Sequence, residues 1–492
     1  MKIYQIKEST TRGKIVVAVR DIMPGELVVE EKEPVLYFTH AFYSQFDAGD
    51  TGLDKALPAF SVFSKQLTSE KQQKLLSLFG PTTGQTAESI RNYARENMKY
   101  RFTEDEEPRS LNSEELELFV KVAQVVRLNI FGSEQFGYAV FEEITRLAHS
   151  CDANCHYAYD GVSIACHANR YVQAGEELTI SYLSARDLQP IHERRFRYLE
   201  RKEFTCHCRR CDAPGDDTRQ FDCADPACKG VLMACEPIDK REIVVADASY
   251  SDVEYVEPHL LPCNVCQRTP SADYQAKMFE LEAQLPSLVE NMSQRYSALQ
   301  SVRQVKEFEP LLRDLLGKKL PRRHAAVLPL LKLEWRIKSI MFHNQFCSAA
   351  SVFDSLSGHI AAMENILHYP HSELLKELKF ALEITTNARH RTLFSPKEEK
   401  ELCQKALRTQ LLIHGRNRRE EGLLENPLSR ALQKLPHVGH TDVCSFCEES
   451  PQRAALTLSR CGRCKQVMYC SAGCQKAHWP QHKKTCKAQA TK

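Results

Sequence analysis

The sequence predicts a multidomain α+β protein: a β-rich domain with a helical insert, a cysteine-rich stretch, an all-α region and a small C-terminal zinc finger. Three observations carry that expectation. Short runs of β-branched and alternating residues occupy positions 3–38 and 137–182, and a helical repeat of apolar positions runs from 271 to about 434. The third is the placement of 20 cysteines, none of them before Cys151. A length of 492 residues with 42% hydrophobic content allows about three domains with cores of their own. Lys plus Arg at 66 against Asp plus Glu at 64 gives a net charge of +2. Such a balance supplies no global basic field for nucleic acid or an anionic membrane. No run of about 18 apolar residues is present to span a bilayer. Met1-Lys2-Ile3-Tyr4-Gln5 lacks the apolar core of a secretory signal. The expected setting is therefore the cytoplasm and/or nucleus, where thiols stay reduced and bind metal rather than each other.

The elements follow in order. Ile15-Val16-Val17-Ala18-Val19, a Pro24-Gly25 turn and Leu27-Val28-Val29 read as short strands joined by a hairpin. From about 40 to 128 the pattern turns helical, and Leu116, Phe119, Val122, Val125 and Val126 fall on one face of 114–127. Strand character returns at Val162-Ser163-Ile164-Ala165 and Leu178-Thr179-Ile180-Ser181-Tyr182. An acidic loop near 246–257 divides the cysteine-rich part. In the helical region, Ser395-Pro396-Lys397-Glu398 reads as an N-cap, a first-turn proline and a capping-box glutamate, opening a helix that stops at Gly415. Alternating helices there are compatible with a solenoid.

Fifteen cysteines group with metal-ligand spacing, leaving Cys155, Cys166, Cys235, Cys347 and Cys403 as buried small hydrophobes. At the C-terminus stand Cys444-x2-Cys447, Cys461-x2-Cys464, Cys470-x3-Cys474 and His482-x3-Cys486, eight ligands for two closed tetrahedral zinc sites. So short a segment buries too little apolar surface to fold alone, so the metal must supply its folding energy. A second group, Cys206-x-Cys208-x2-Cys211, needs a fourth ligand from elsewhere, for which Cys151 is the candidate. The third is Cys223-x4-Cys228 with Cys263-x2-Cys266, which reads as a zinc ribbon. Unligated thiols, or ligands shared with the neighbouring group, are the alternatives for that set.

Residues 444–486, with Met468-Tyr469-Cys470 and Cys474-Gln475-Lys476-Ala477-His478-Trp479, resemble a MYND zinc finger. That resemblance implies one zinc on the first and third ligand pairs, another on the second and fourth, and docking of short proline-containing peptides. His482, not His478, has the family spacing to Cys486. The blocks Arg146-Leu147-Ala148-His149-Ser150-Cys151-Asp152-Ala153-Asn154-Cys155, Gly175-Glu176-Glu177-Leu178-Thr179-Ile180-Ser181-Tyr182 and Phe204-Thr205-Cys206-His207-Cys208-Arg209-Arg210-Cys211 resemble the SET domain of protein lysine methyltransferases with its post-SET zinc loop. Together these parts resemble the SET and MYND domain family, with the finger at the far end rather than inside the SET domain.

The expected organisation is a SET domain at 1–205, a post-SET and ribbon segment at 206–270, helices at 271–435 and the finger at 444–486. The finger is expected to stand apart from the SET core. The resemblance implies an S-adenosylmethionine-dependent protein-lysine N-methyltransferase acting on histone or non-histone proteins, with a role in transcriptional regulation. Tyr182 is the implied catalytic residue, Lys14, His149, Asn154 and Phe204 line the cofactor, and Cys151 completes the post-SET zinc. Ala148 stands where the family has asparagine, Ala153 where it has proline, and Ile15 where it has the second glycine of the cofactor strand. These departures imply weakened cofactor binding. They also frame the alternative expectation, a catalytically weak or inactive scaffold that binds partners through the finger and the helices.

Overall fold

The computed structural model describes residues 2–9, 13–45, 55–100, 107–133, 137–202, 204–235, 258–317, 321–367, 370–386, 394–414, 459–463, 467–469, 472–483 and 486. The N-terminal domain opens with strands β1 (Tyr4–Ser9), β2 (Gly13–Ala18), β3 (Leu27–Glu31) and β4 (Leu36–Phe38). Helices α1 (His40–Tyr43), α2 (Ala56–Lys65), α3 (Ser69–Leu76), α4 (Gln85–Asn97) and α5 (Ser113–Asn129) form the insert. Then follow β5 (Phe131–Ser133), β6 (Gly137–Val140), β7 (Ala148–His149), β8 (Cys155–Tyr159), β9 (Ile164–Ala168), β10 (Thr179–Ile180) and α6 (Ile191–Lys202).

These strands make four small sheets rather than one. β1 pairs with β2, β9 lies between β3 and β8, β6 lies between β4 and β5, and β7 runs parallel to β10. The hairpin expected at Pro24-Gly25 is therefore corrected. The turn exists, with Gly25 at φ 78°, but β2 and β3 go to different sheets and Gly25 N–H bonds the carbonyl of Ala168 instead. Pattern alone specifies a turn; which strands it joins is decided by the long-range partner. Val162 is exposed outside β9, and the strand expected over 178–182 shortens to β10.

The insert folds as the helical pattern predicts. Asn112 and Glu115 close a capping box at the start of α5, and Phe119, Val122, Val125 and Val126 lie in one core with Phe60 of α2. Phe60 and Phe119 meet edge-on, with ring centroids 5.2 Å apart. Burial of that apolar face, not propensity, holds the five helices on β4 and β6. Next to this core, the Glu31 carboxylate accepts the backbone N–H groups of Glu142, Glu143 and Ile144 at 2.8–2.9 Å. That bond set fixes the chain just before β7.

Beyond α6, strands β11 (Asp216–Asp222), β12 (Val231–Cys235) and β13 (His259–Leu260) form an antiparallel sheet. The expected acidic loop lies outside the described residues. Helices α7 (Ala272–Ser297), α8 (Val302–Gly317), α9 (Leu328–His343), α10 (Ala349–Ile366), α11 (Ser372–Thr386) and α12 (Pro396–His414) share a core around Trp335. The capping box at 395–398 is present, with Ser395 Oγ accepting from Glu398 N and Glu398 Oε2 from Ser395 N. Gly415 lies outside the described residues. α12 packs on β8 and β9, and α11 packs beside the 3-10 turn Ser184–Leu188, so the helical region is applied to the N-terminal domain. Strands β14 (Ser459–Arg460) and β15 (Met468–Tyr469) and helix α13 (Ala472–His482) come from the C-terminal finger. No described helix is long and apolar enough to cross a membrane.

The helical core buries a titratable ring. His359 of α10 is 3% exposed and held neutral at a value lowered to about 4, by burial first and then by Lys332 and Arg336. A histidine depressed in the folded state contributes stability above its unfolded value near 6.5, and that contribution is lost as pH falls toward 4. Chemical denaturation of parent and His359→Gln at pH 7 and pH 4.5 should therefore show a smaller acid loss in the variant, by roughly 1–3 kcal/mol. Equal losses would remove His359 as an acid-sensitive group.

Candidate functional site

The site is built where β7 meets β10. Both strands are two residues long, pairing Ala148 with Thr179 and His149 with Ile180. Asn154 supplies what so short a pair lacks. Its Oδ1 accepts from Thr179 N at 2.8 Å, and its Nδ2 donates to the carbonyl of Glu177 at 2.7 Å and to Glu176 Oε1 at 3.1 Å. The side chain is 1% exposed, so the whole amide is spent on holding segment 175–180 in place. On the other flank, Ala18 N bonds the carbonyl of Glu176 and Leu178 N the carbonyl of Val16, which lays the same segment along β2.

Tyr182 leaves β10 into the space between these strands. Its backbone N–H donates to His149 Nδ1 at 3.1 Å, and its hydroxyl donates to the carbonyl of Leu147 at 2.5 Å. Burial pushes the phenol well above its ordinary value, so it stays protonated. His149 is lowered to about 4, by burial first, against an opposing pull from Asp187, so the ring is neutral. The half-buried Phe204 ring lies 6.2 Å from the His149 ring, and the Tyr182 ring 5.3 Å from it. Of the positions expected around the cofactor, His149, Asn154 and Phe204 gather here with Tyr182. Lys14 does not join them; it is an exposed residue on β2, opposite Glu8 of β1. Ile15 sits half-buried on the same strand.

Sequence reasoning missed Lys202. Its Nζ lies over the Tyr182 ring, 5.3 Å from the centroid, and donates to the carbonyl of Leu128. No motif contains it; only the path of α6 beneath the ring brings it there.

Three groups of possible metal ligands gather. The Sγ atoms of Cys151, Cys206, Cys208 and Cys211 lie within 4.8 Å of one another, and His149 Nε2 lies 3.2 Å from Cys151 Sγ. Those of Cys223, Cys228, Cys263 and Cys266 do the same at the end of the β11–β13 sheet. The local backbone there is shaped around sulfur. Gly230 N–H points at Cys228 Sγ at 3.3 Å, and a Cβ on Gly230 would stand 2.3 Å from Cys263 Sγ. Gln267, directly after Cys266, is held at φ 60°, a left-handed conformation that closes the turn as its N–H bonds the Cys263 carbonyl. In the finger, Cys461, His482 and Cys486 converge, with His482 Nε2 3.4 Å from Cys461 Sγ. His478 instead meets the Tyr469 hydroxyl at 3.0 Å. Cys444, Cys447, Cys464 and Cys470 lie outside the described residues; Cys474 packs beside this cluster.

The finger does not stand apart. Cys461, Tyr469 and Cys486 form a buried cluster against Met23 and Tyr171 of the N-terminal domain. Linear order placed the finger beyond the helices, but its folded apolar face needs cover and finds it on the turn after β2.

Comparison with known proteins agrees with the two ends of the chain. The SET domain family matches residues 13–183, and the MYND finger family matches residues 444–486. Histone-lysine N-methyltransferase SMYD3 of Mus musculus is 36% identical over 84 residues, 17% of this chain and 19% of its own length. The Homo sapiens protein of that name is 31% identical over 107 residues, covering 22% and 24%. N-lysine methyltransferase SMYD2 of Gallus gallus is 61% identical over 49 residues, 10% of each chain. The chain thus matches about a fifth of the length of the first of these relatives. Among solved structures, the SET domain of LSMT bound to lysine and AdoHcy aligns over 88% of this chain and 94% of its own, at 13% identity. The TM-score of 0.25 is too low for that overlay to bear on the fold.

Removing the finger uncovers part of Met23 and Tyr171, worth about 1–2 kcal/mol at roughly 25 cal/mol per Å². Residues 1–439 should therefore melt about 2–4 °C below the full chain in scanning fluorimetry of the N-terminal domain. An unchanged melting temperature would show that this contact contributes nothing.

Proposed function

We propose that this chain, which carries a SET domain and a C-terminal MYND finger, is a protein-lysine N-methyltransferase that uses S-adenosylmethionine. The observation that carries the reading is Tyr182, a half-buried phenol, kept protonated, whose hydrogen is committed to the carbonyl of Leu147. Its oxygen lone pairs are then free to accept from an incoming amine and to align it.

S-adenosylmethionine, when bound, supplies an electrophilic methyl group on a sulfonium. The residues present suit such a cation. His149 is neutral and adds no repelling charge, and the Phe204 ring offers a flat face for adenine. Asn154 serves by holding segment 175–180, which carries Tyr182 to the site. Lys14, exposed on β2, is left to the outer end of the cofactor.

The substrate lysine must lose its proton before it can attack, because an ammonium has no lone pair. Apolar surroundings lower its pKa from the usual value of about 10.4. Lys202 adds to this effect, since a cation over the Tyr182 ring disfavours a second ammonium beside it. The substrate class is therefore a protein carrying an accessible lysine. The finger takes proline-containing peptides, and cytoplasm or nucleus is the setting, with a part in transcriptional regulation as the wider role.

Zinc fits the thiol groups. Cys151, Cys206, Cys208 and Cys211 would hold one ion behind the site, and Cys223, Cys228, Cys263 and Cys266 a second. Two more belong to the finger, one on Cys444, Cys447, Cys470 and Cys474, the other on Cys461, Cys464, His482 and Cys486. Every position is filled by protein, so these ions are structural. Shared ligands between the two thiol sets lose support from the separate gathering of each foursome.

Two tests decide the reading. Calorimetric titration should show S-adenosylmethionine binding, and Tyr182→Phe should keep that affinity within about twofold while lowering methyl transfer to a lysine peptide at least tenfold. Full turnover in Tyr182→Phe would reject the tyrosine; no cofactor binding would turn the reading to a scaffold acting through the finger and helices.

Native mass spectrometry should count four zinc ions on the loaded chain and three on Gly230→Ala, whose added Cβ displaces Cys263 Sγ. Four ions in that variant would remove the ribbon assignment.

A further inference from the structure

Next to the site lies a buried acid that methyl transfer does not itself require. Asp187 ends the core of the Ser184–Leu188 turn, and its side chain is wholly buried. Its Oδ1 accepts from Ser181 Oγ at 2.9 Å, and Ser181 Oγ in turn accepts from Leu183 N at 3.1 Å. Those two residues flank Tyr182. The other carboxylate oxygen faces His371 Nε2 at 3.5 Å.

His371 comes from a distant part of the chain. It is the residue before α11, and its Nδ1 accepts from Glu373 N at 3.1 Å, capping that helix. With Nδ1 occupied as an acceptor, the ring proton belongs on Nε2, the nitrogen 3.5 Å from Asp187 Oδ2. The ring is 2% exposed and the carboxylate 0%, so the contact lies away from solvent. Each donor that faces a buried carboxylate stabilises it, and His371 is the one the helical region supplies.

We propose that His371 is a positioning residue for Tyr182. Acting through Asp187 and Ser181, it fixes the peptide segment that carries the phenol, so that the helical region completes a site otherwise built by the N-terminal domain. Tyr182 is held at its N–H by His149, at its hydroxyl by Leu147, and at both neighbours by the Ser181–Asp187–His371 chain. Removing the last link leaves the first two bonds in place but frees the segment to shift. A shift of about 1 Å in an aligning group costs on the order of a hundredfold at the extreme. This inference rests on the methyl-transfer reading for its consequence in catalysis, and on geometry alone for the placement of Tyr182.

Asparagine and glutamine separate the two tasks of the ring. An asparagine oxygen stands where Nδ1 stands, keeping the helix cap and losing Asp187. A glutamine amide nitrogen stands where Nε2 stands, keeping Asp187 and losing the cap. His371→Asn should lower kcat for methyl transfer about tenfold with KM within about twofold, whereas His371→Gln should stay within about twofold of the parent in both. His371→Gln should nevertheless melt below His371→Asn, because it has lost the cap. A residue that served stability alone would rank the variants for turnover in the same order as for melting, and that result would overturn the proposal. A second readout needs no turnover. In protein labelled with 3-fluorotyrosine, the Tyr182 fluorine resonance, assigned by its loss in Tyr182→Phe, should shift or broaden in His371→Asn and stay put in His371→Gln. Ser181→Ala breaks the chain from the other end and should move the resonance as well, which covers the case of an asparagine variant that does not fold. A Tyr182 resonance unmoved by His371→Asn, or by Ser181→Ala in its place, overturns the proposal. A parent that transfers no methyl group while the resonance moves as described overturns the methyl-transfer reading and leaves the positioning inference standing.

Discussion

The arrangement of this protein depends on one side-chain amide. The parallel pair β7–β10 is two residues long, and a ladder so short cannot fix its own register. Asn154 does so by engaging the Thr179 N–H and the Glu177 carbonyl at once, in a site almost closed to water. Each such bond contributes about 1 kcal/mol, but an unpaired buried amide would cost about 1–3 kcal/mol, so the clamp is kept chiefly by what its absence would expose. With segment 175–180 held against β2 on one edge and β7 on the other, the chain delivers Tyr182 to a fixed point. His149, two positions past Leu147, then receives the Tyr182 N–H with its own neutral ring.

Around that point the molecule assembles parts remote in sequence. The insert of α1–α5 buries its own core and presents the Leu128 carbonyl to Lys202 from α6. The Cys151 thiol, two residues past His149, gathers with Cys206, Cys208 and Cys211, which anchors the segment bearing Phe204 close to β7. From the helical region, α12 lies on β8 and β9, and α11 brings His371 to the turn after Tyr182. The finger covers Met23, on the turn after β2, and Tyr171. Helices and finger are thus applied to the N-terminal domain, not strung after it.

A second buried network shows the same economy of charge. Glu282 of α7 would be raised by burial, yet His324 and Arg219 beside it hold its carboxyl down to about 2. Its two oxygens receive Arg219 at 2.6–2.8 Å and His324 at 2.9 Å, tying β11 to α7 and to the segment before α9. A half-buried carboxylate keeps its charge here because both donors face it, so the network sets how the small sheet meets the helices. The thiol foursome at the other end of that sheet, shaped by Gly230 and Gln267, fixes the turns that network leaves free.

The sequence by itself determined most element types and the helical character of the insert and of the region after the small sheet, and it named the candidate site residues. Periodicity shows α5 because its apolar face repeats every three to four residues, and 395–398 shows a helix start because the capping chemistry is local. The ligand spacings are legible for the same reason, since a metal's first shell constrains residues only a few positions apart. Tyr182, His149 and Phe204 stood out as candidates through motif blocks, and the fold brings their rings together. What only the tertiary structure decided involves partners far apart along the chain. Pro24-Gly25 marks a turn in sequence but not that β2 and β3 part company there, because strand pairing is chosen by long-range burial. Lys202 over the Tyr182 ring, His371 against Asp187 and the finger against Met23 each join positions that no local pattern links. Their contacts exist because burial leaves a charge or an apolar face without water, and folding must then supply a partner from wherever the chain passes.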